Sequence, residues 1–130
     1  MNKHLFFIYM TLFLSIPNGQ AEETQHSRIH QITDNVYNII NLDYSNIGVV
    51  IGTNTVALIE SGMGDYEEHS NDNVLKLIRT ITDKPIKYVI NMHSHPDHSG
   101  GNNFFSQLGA TLITHKNVVY SEFYDGRYPD

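Results

Sequence analysis

Apolar residues fall in short dense runs along this chain, and the rhythm changes where the elements change. Residues 36–42 (VYNIINL) read as a first strand. Residues 46–51 and 55–60 are two β-branched runs flanking Gly52-Thr53-Asn54, which predicts a hairpin with a three-residue loop. Both runs are nearly continuous in apolar residues (GVVI, then VALI), the pattern of a sheet covered on both faces. After a loop at Ser61-Gly62-Met63-Gly64 the rhythm turns helical. Val74, Leu77, Ile78 and Ile81 fall at i, i+3, i+4 and i+7, predicting a helix over 73–81 that Lys84-Pro85 ends. Residues 86–91 (IKYVIN) form the next strand. A short helix over 102–108 follows, with Phe104, Phe105 and Leu108 on its buried side, and then a strand over 110–114 (ATLIT). The tail from Lys116 starts another helix, and 22–28 is polar enough to be a loose leader. The order β-β-β-α-β-loop-α-β describes an α/β layer. With no repeat, linker or low-complexity tract, residues 22–130 read as one unit.

Residues 1–21 follow a different logic. Lys3 and the amino terminus are positive, residues 5–16 (LFFIYMTLFLSI) are apolar, Pro17 breaks the run, and Gly19-Gln20-Ala21 offers small residues for cleavage. The apolar stretch is too short for a membrane span, which takes about 20 residues. The expectation is a cleaved secretory signal, a mature chain starting at Glu22 with no stable membrane anchor, and a periplasmic or secreted location.

Composition narrows the chemistry. A formal net charge of −6 without basic runs argues against nucleic acid as a partner and leaves a small-molecule substrate. The absence of cysteine excludes disulfides, thiolate metal sites and a cysteine nucleophile. Eight histidines are present, and three of them stand at 93, 95 and 98.

Those three belong to Asn91-Met92-His93-Ser94-His95-Pro96-Asp97-His98-Ser99-Gly100-Gly101-Asn102, directly after a strand. Imidazole nitrogen and carboxylate oxygen are zinc ligands. Extended backbone sends i and i+2 side chains to one face, so His93 and His95 can grip one ion. Pro96 then turns the chain, and Asp97 and His98 can reach a second. Paired metals about 3.5–4 Å apart recur in hydrolytic sites, where they activate water. Gly100-Gly101 gives the backbone freedom for a tight exit.

The pattern His93-x-His95-x-Asp97-His98 followed by Ser99-Gly100-Gly101-Asn102 resembles the signature of the metallo-β-lactamase superfamily. The resemblance runs from about Ile32 to Tyr120 and includes residues 32–37, the hairpin, residues 84–91, Gly109-Ala110 and Thr114-His115-Lys116-Asn117. It implies an α/β fold, the N-terminal half of an αββα sandwich with a mixed sheet and flanking helices. It further implies zinc, two ions in the complete protein, with His93 and His95 on the first and Asp97 and His98 on the second. Asp97 would also orient the attacking hydroxide. The later ligands of the family, and its second sheet, would lie beyond Asp130, so one face of the sheet is expected to be open in this chain alone. Glu60 stands where the family usually has an aspartate that steadies the metal loop; it is one methylene longer, and a surface acid is the competing reading. His115 is a weaker ligand candidate, and His26, His30 and His69 read as solvent-facing.

The implied activity is hydrolysis of an ester, thioester, lactone or β-lactam carbonyl by a metal-activated water. Two alternatives stay open: an iron-dependent thiol or persulfide oxidase, since the same donors suit iron or manganese as well as zinc, and a non-catalytic fragment.

Overall fold

The computed structural model describes residues 27–41, 44–66 and 69–116. They build one six-stranded sheet whose spatial order equals its chain order. The strands are β1 (Ser27–Thr33), β2 (Val36–Asn41), β3 (Ile47–Ile51), β4 (Val56–Ile59), β5 (Ile86–Asn91) and β6 (Thr111–Thr114). β1 to β4 pair antiparallel through short turns. β4, β5 and β6 are parallel. Parallel neighbours need long crossovers. Helix α1 (Asn71–Arg79) makes the first, and α2 (Pro96–Ser99) with α3 (Asn102–Gln107) makes the second. This topology sets the C-terminal ends of β4, β5 and β6 side by side at one edge.

The core lies on one face of the sheet. Ile39 faces Ile47, Val49 faces Leu58, and Leu58 lies beside Val89. Leu77 and Ile78 of α1 and Phe105 of α3 belong to the same buried cluster. The other face carries Val50, Ala57, Ile59, Tyr88, Ile90 and Ile113, none of them buried, with Tyr88 41% and Ile113 45% accessible. Among the described residues the unbroken apolar runs are therefore half used: one face is buried and the other is only partly covered.

The predicted elements recur with shifted ends. The hairpin turn closes with Gly52 N–H donating to Thr55 O at 2.8 Å, so the loop is one residue longer than read. Helix α1 starts two residues early because its cap lies upstream of the apolar spacing. Ser70 is extended (φ −147°), and its Oγ accepts from Asn73 N at 3.2 Å. Ile81 falls past the helix end. The expected loose leader is corrected in part: from Ser27 the chain is strand β1, paired along β2 with a bulge between Gln31 and Thr33. Polar side chains suit an edge strand, whose hydrogen bonds come from one neighbour only. The signal at 1–21, residues 22–26 and most of the predicted tail helix lie outside the described residues.

Candidate metal centre

Strand β5 delivers the loop. It ends at Asn91, and Met92 to His95 run to the start of α2, where His95 is the N-cap residue (φ −67°, ψ 150°) and Pro96 occupies the first turn. Proline suits that position because its missing N–H would have no helical partner there. One turn of helix then carries Asp97 and His98.

The loop brings all four predicted donors together as neighbours. The His93 and His95 rings lie 4.1 Å apart between centroids, and His93 and His98 4.9 Å. His98 Nε2 is 3.3 Å from Asp97 Oδ2. His93 and His95 are exposed, whereas Asp97 and His98 are half-buried. Nitrogen and carboxylate donors of this kind fit a divalent cation. They stand in contact pairs: among the described residues, no three His, Asp or Glu side chains already close on a single metal point.

Beneath the donors lies a shell of buried polar groups. Glu60, only 4% exposed, directly follows β4 with φ 66°. Its Oε1 accepts from Met92 N at 3.0 Å, and its Oε2 accepts from Asn91 Nδ2 at 3.3 Å. Oε1 also lies 3.6 Å from His98 Nδ1, a buried nitrogen with no hydrogen-bond partner. Glu60 is thus no surface acid; it sits under the loop with its carboxylate turned to the loop's first and last residues. The His98 carbonyl accepts from Ser61 N at 2.8 Å, Ser61 Oγ at 3.2 Å and Asn91 Nδ2 at 3.2 Å. Ser99 Oγ donates to His95 O at 3.0 Å, and Ser45 Oγ to Asp97 O. The loop backbone is therefore held from both ends, by the buried Glu60, Ser61, Asn91 and Ser99 and by half-buried Ser45.

Sequence reasoning missed Asn91, Ser61 and Ser45. For Asn91 a signal existed. Val89 and Asn91 are i and i+2 on the inward phase of β5, and a polar residue at an inward position asks for partners. Of the remaining histidines, His30 is exposed as read. His69 is not simply solvent-facing: it is half-buried, with its ring edge-on to Tyr44 at 4.6 Å. His115 is exposed just past β6, at the same edge as the loop. His26 lies outside the described residues.

Beside Asp97 and His98 the surface is shallow and open, bordered also by Tyr44, Ser45, Ile59, Glu60 and Met92.

Known proteins share this fold. The fold matches solved metallo-β-lactamases: FIM-1 from Pseudomonas aeruginosa in its mono-zinc form (TM-score 0.68, 18% identity, 80% of this chain and 48% of that one) and DIM-1 (TM-score 0.64, 15% identity, 80% and 49%). The enzyme from Pontibacter korlensis is similar at TM-score 0.64 and 19% identity, over 80% and 51%. In sequence, the chain is 34% identical over 82 residues to the alkyl/aryl-sulfatase BDS1 of Saccharomyces cerevisiae, covering 63% of this chain and 12% of that protein. The chain thus spans about half the length of these solved structures and a small part of the sulfatase. Residues 40–129 match the family model of the metallo-beta-lactamase superfamily, so the chain belongs to that superfamily, whose members are generally metal-dependent hydrolases.

Proposed function

We propose that this protein is a metal-dependent hydrolase in which His93, His95, Asp97 and His98 hold zinc, two ions in the complete site. The observation that carries the reading is the gathering of these four donors on one loop, braced from below by Glu60. Zinc bound there would polarise a scissile carbonyl and lower the pKa of water to about 7. The chain's own residues do the rest. Asp97, half-buried beside His98, would orient the attacking water. Glu60 and the donors to the His98 carbonyl keep the loop from collapsing or splaying. The substrate, a small molecule, would bind beside Asp97 and His98. Ester, thioester, lactone and β-lactam carbonyls all suit this chemistry, and the sulfatase likeness adds sulfate esters to the panel.

The test is metal content by mass spectrometry, together with turnover on nitrocefin, an acyl thioester, a lactone, an aryl ester and an aryl sulfate. For the complete protein the expected result is bound zinc and turnover of one class, with both reduced in His95→Ala; residues 22–130 alone should bind zinc weakly and turn nothing over. Unchanged metal stoichiometry in that variant would sink the ligand assignment. We propose in addition that residues 1–21 are an export signal, on the strength of their charge, apolar stretch and Gly19-Gln20-Ala21 ending, and that the protein acts in the periplasm or outside the cell.

A further inference from the structure

We propose that Asn91 is a positioning residue for the second half of the metal loop, acting through the His98 carbonyl. The inference rests on the metal-site reading above. Asn91 is 3% exposed at the end of β5. Its amide has two N–H groups, and Nδ2 faces two acceptors: Glu60 Oε2 at 3.3 Å and His98 O at 3.2 Å. The adjoining Met92 N–H donates to the other oxygen of the same carboxylate. Consecutive residues thus hold both oxygens of Glu60, and one of them also reaches seven residues ahead to the last donor of the loop.

This clamp fixes more than backbone. His98 Nδ1 lies 3.6 Å from Glu60 Oε1, and Nε2 is turned toward Asp97. Moving the His98 carbonyl would move its ring relative to both carboxylates. Asn91 ties the carbonyl and the carboxylate to one point, so the His98 backbone cannot shift against Glu60 without straining a hydrogen bond.

The orientation of the amide is unambiguous. Reversed, its oxygen would face the Glu60 carboxylate and a carbonyl, both acceptors. In the fitting orientation Asn91 Oδ1 is buried with no partner. A buried lone acceptor lowers stability. A residue selected for packing alone at this inward position, two after Val89, would be apolar. Violations of this kind collect at functional sites, and here the violation accompanies two donors aimed at the loop.

The experiment compares Asn91→Leu and Asn91→Ser with the unaltered protein. Leucine fills the volume without donors; serine is too short to reach both acceptors and leaves room for water. Cobalt(II) is titrated, and its ligand-field absorption is read alongside a thermal melt. The expected result is a cooperative melt in at least one variant, with cobalt affinity down about tenfold or more, the scale for removing partners that orient metal ligands, and an altered absorption band. A folded variant with unchanged affinity and spectrum overturns the proposal. Loss of cooperative folding in both variants makes Asn91 a residue of the fold alone and overturns it too. Absence of cobalt binding in the unaltered protein instead defeats the metal reading, and this inference falls with it.

Discussion

Replacing Gly100 by alanine tests whether the paired glycines after the loop serve space or flexibility. The backbone at Gly100 is ordinary right-handed helix (φ −61°, ψ −27°), and Gly101 is close to it (φ −84°, ψ −2°). Any residue adopts such angles, so the freedom expected from the sequence is not what the site uses. Space is what it uses. A Cβ on Gly100 would lie 2.2 Å from Met63 O, 2.5 Å from Met63 C and 2.7 Å from Pro96 O. All three are backbone atoms, so no side chain can swing aside. Reaching even 3.0 Å from Met63 O asks for about 0.8 Å of movement between α2 and the turn after β4. That movement strains the bridge between Gly62 and Ser99 and the bond from Ser61 N to His98 O. Overpacking of this kind costs about 1–3 kcal/mol. At about 4–8 °C per kcal/mol for a domain of this size, the melting midpoint should fall by roughly 10 °C. Zinc affinity should fall with it, because the shifted segment carries Asp97 and His98. The assay is a calorimetric melt with a zinc titration in competition with a chromophoric chelator. A midpoint within about 2 °C of the unaltered protein, with the same zinc affinity, would refute the close-approach argument.

Other substitutions probe separate parts of the fold. Gly109→Ala meets nothing within 4 Å, but its φ is +93°; it should lose about 1–2 kcal/mol from backbone strain alone and leave metal binding untouched in the same titration. Phe105→Ala removes a fully buried ring that packs edge-on to Phe104 at 5.2 Å; a loss of about 3–5 kcal/mol should appear in urea unfolding as a lower midpoint with unchanged slope. Ser70→Ala should cost about 1 kcal/mol through loss of the α1 cap, read as a melt shift without change in zinc content. Cleavage after Ala21 should yield a product beginning at Glu22 when the protein is made in an exporting bacterium, and intact-mass measurement showing Met1 retained would contradict it.

The middle of the chain was the most legible part of the sequence. Strands β2 to β6 and both longer helices follow from local apolar runs and spacing. The donor loop was legible because four ligand-type side chains stand within six residues, a local pattern that needs no knowledge of the fold. Less was legible wherever a residue works through a distant partner. β1 has only Ile29 and Ile32 as apolar residues, and its strand character comes from pairing with β2. The role of Gly100 depends on Met63, far back in the chain. Ser45 meets the loop across 52 residues. None of these contacts leaves a periodic trace.

Glu60 shows how the scaffold turns backbone geometry into support for the site. A strand-end side chain in ordinary extended conformation would continue the alternation of β4, in or out of the sheet. At φ 66° the residue leaves that alternation, and left-handed Gly62 and Gly64 follow it at 78° and 79°. The chain thereby turns beneath the loop instead of running past it, and the Glu60 carboxylate comes back to Met92 N and Asn91 Nδ2. The left-handed conformation costs a residue with a Cβ about 1–2 kcal/mol. Hydrogen bonds to a charged group contribute about 1.5–3 kcal/mol each, so two of them offset that strain. The balance depends on both oxygens being acceptors. Glu60→Gln presents an NH₂ to a donor at one end or the other, whichever way the amide turns. Of the two bonds at most one survives, and one buried donor is left facing another. The variant should therefore lose about 1–3 kcal/mol although its side chain has the same size and shape. A melt unchanged by Glu60→Gln would mean that the two bonds contribute nothing and that the left-handed turn is held by packing alone.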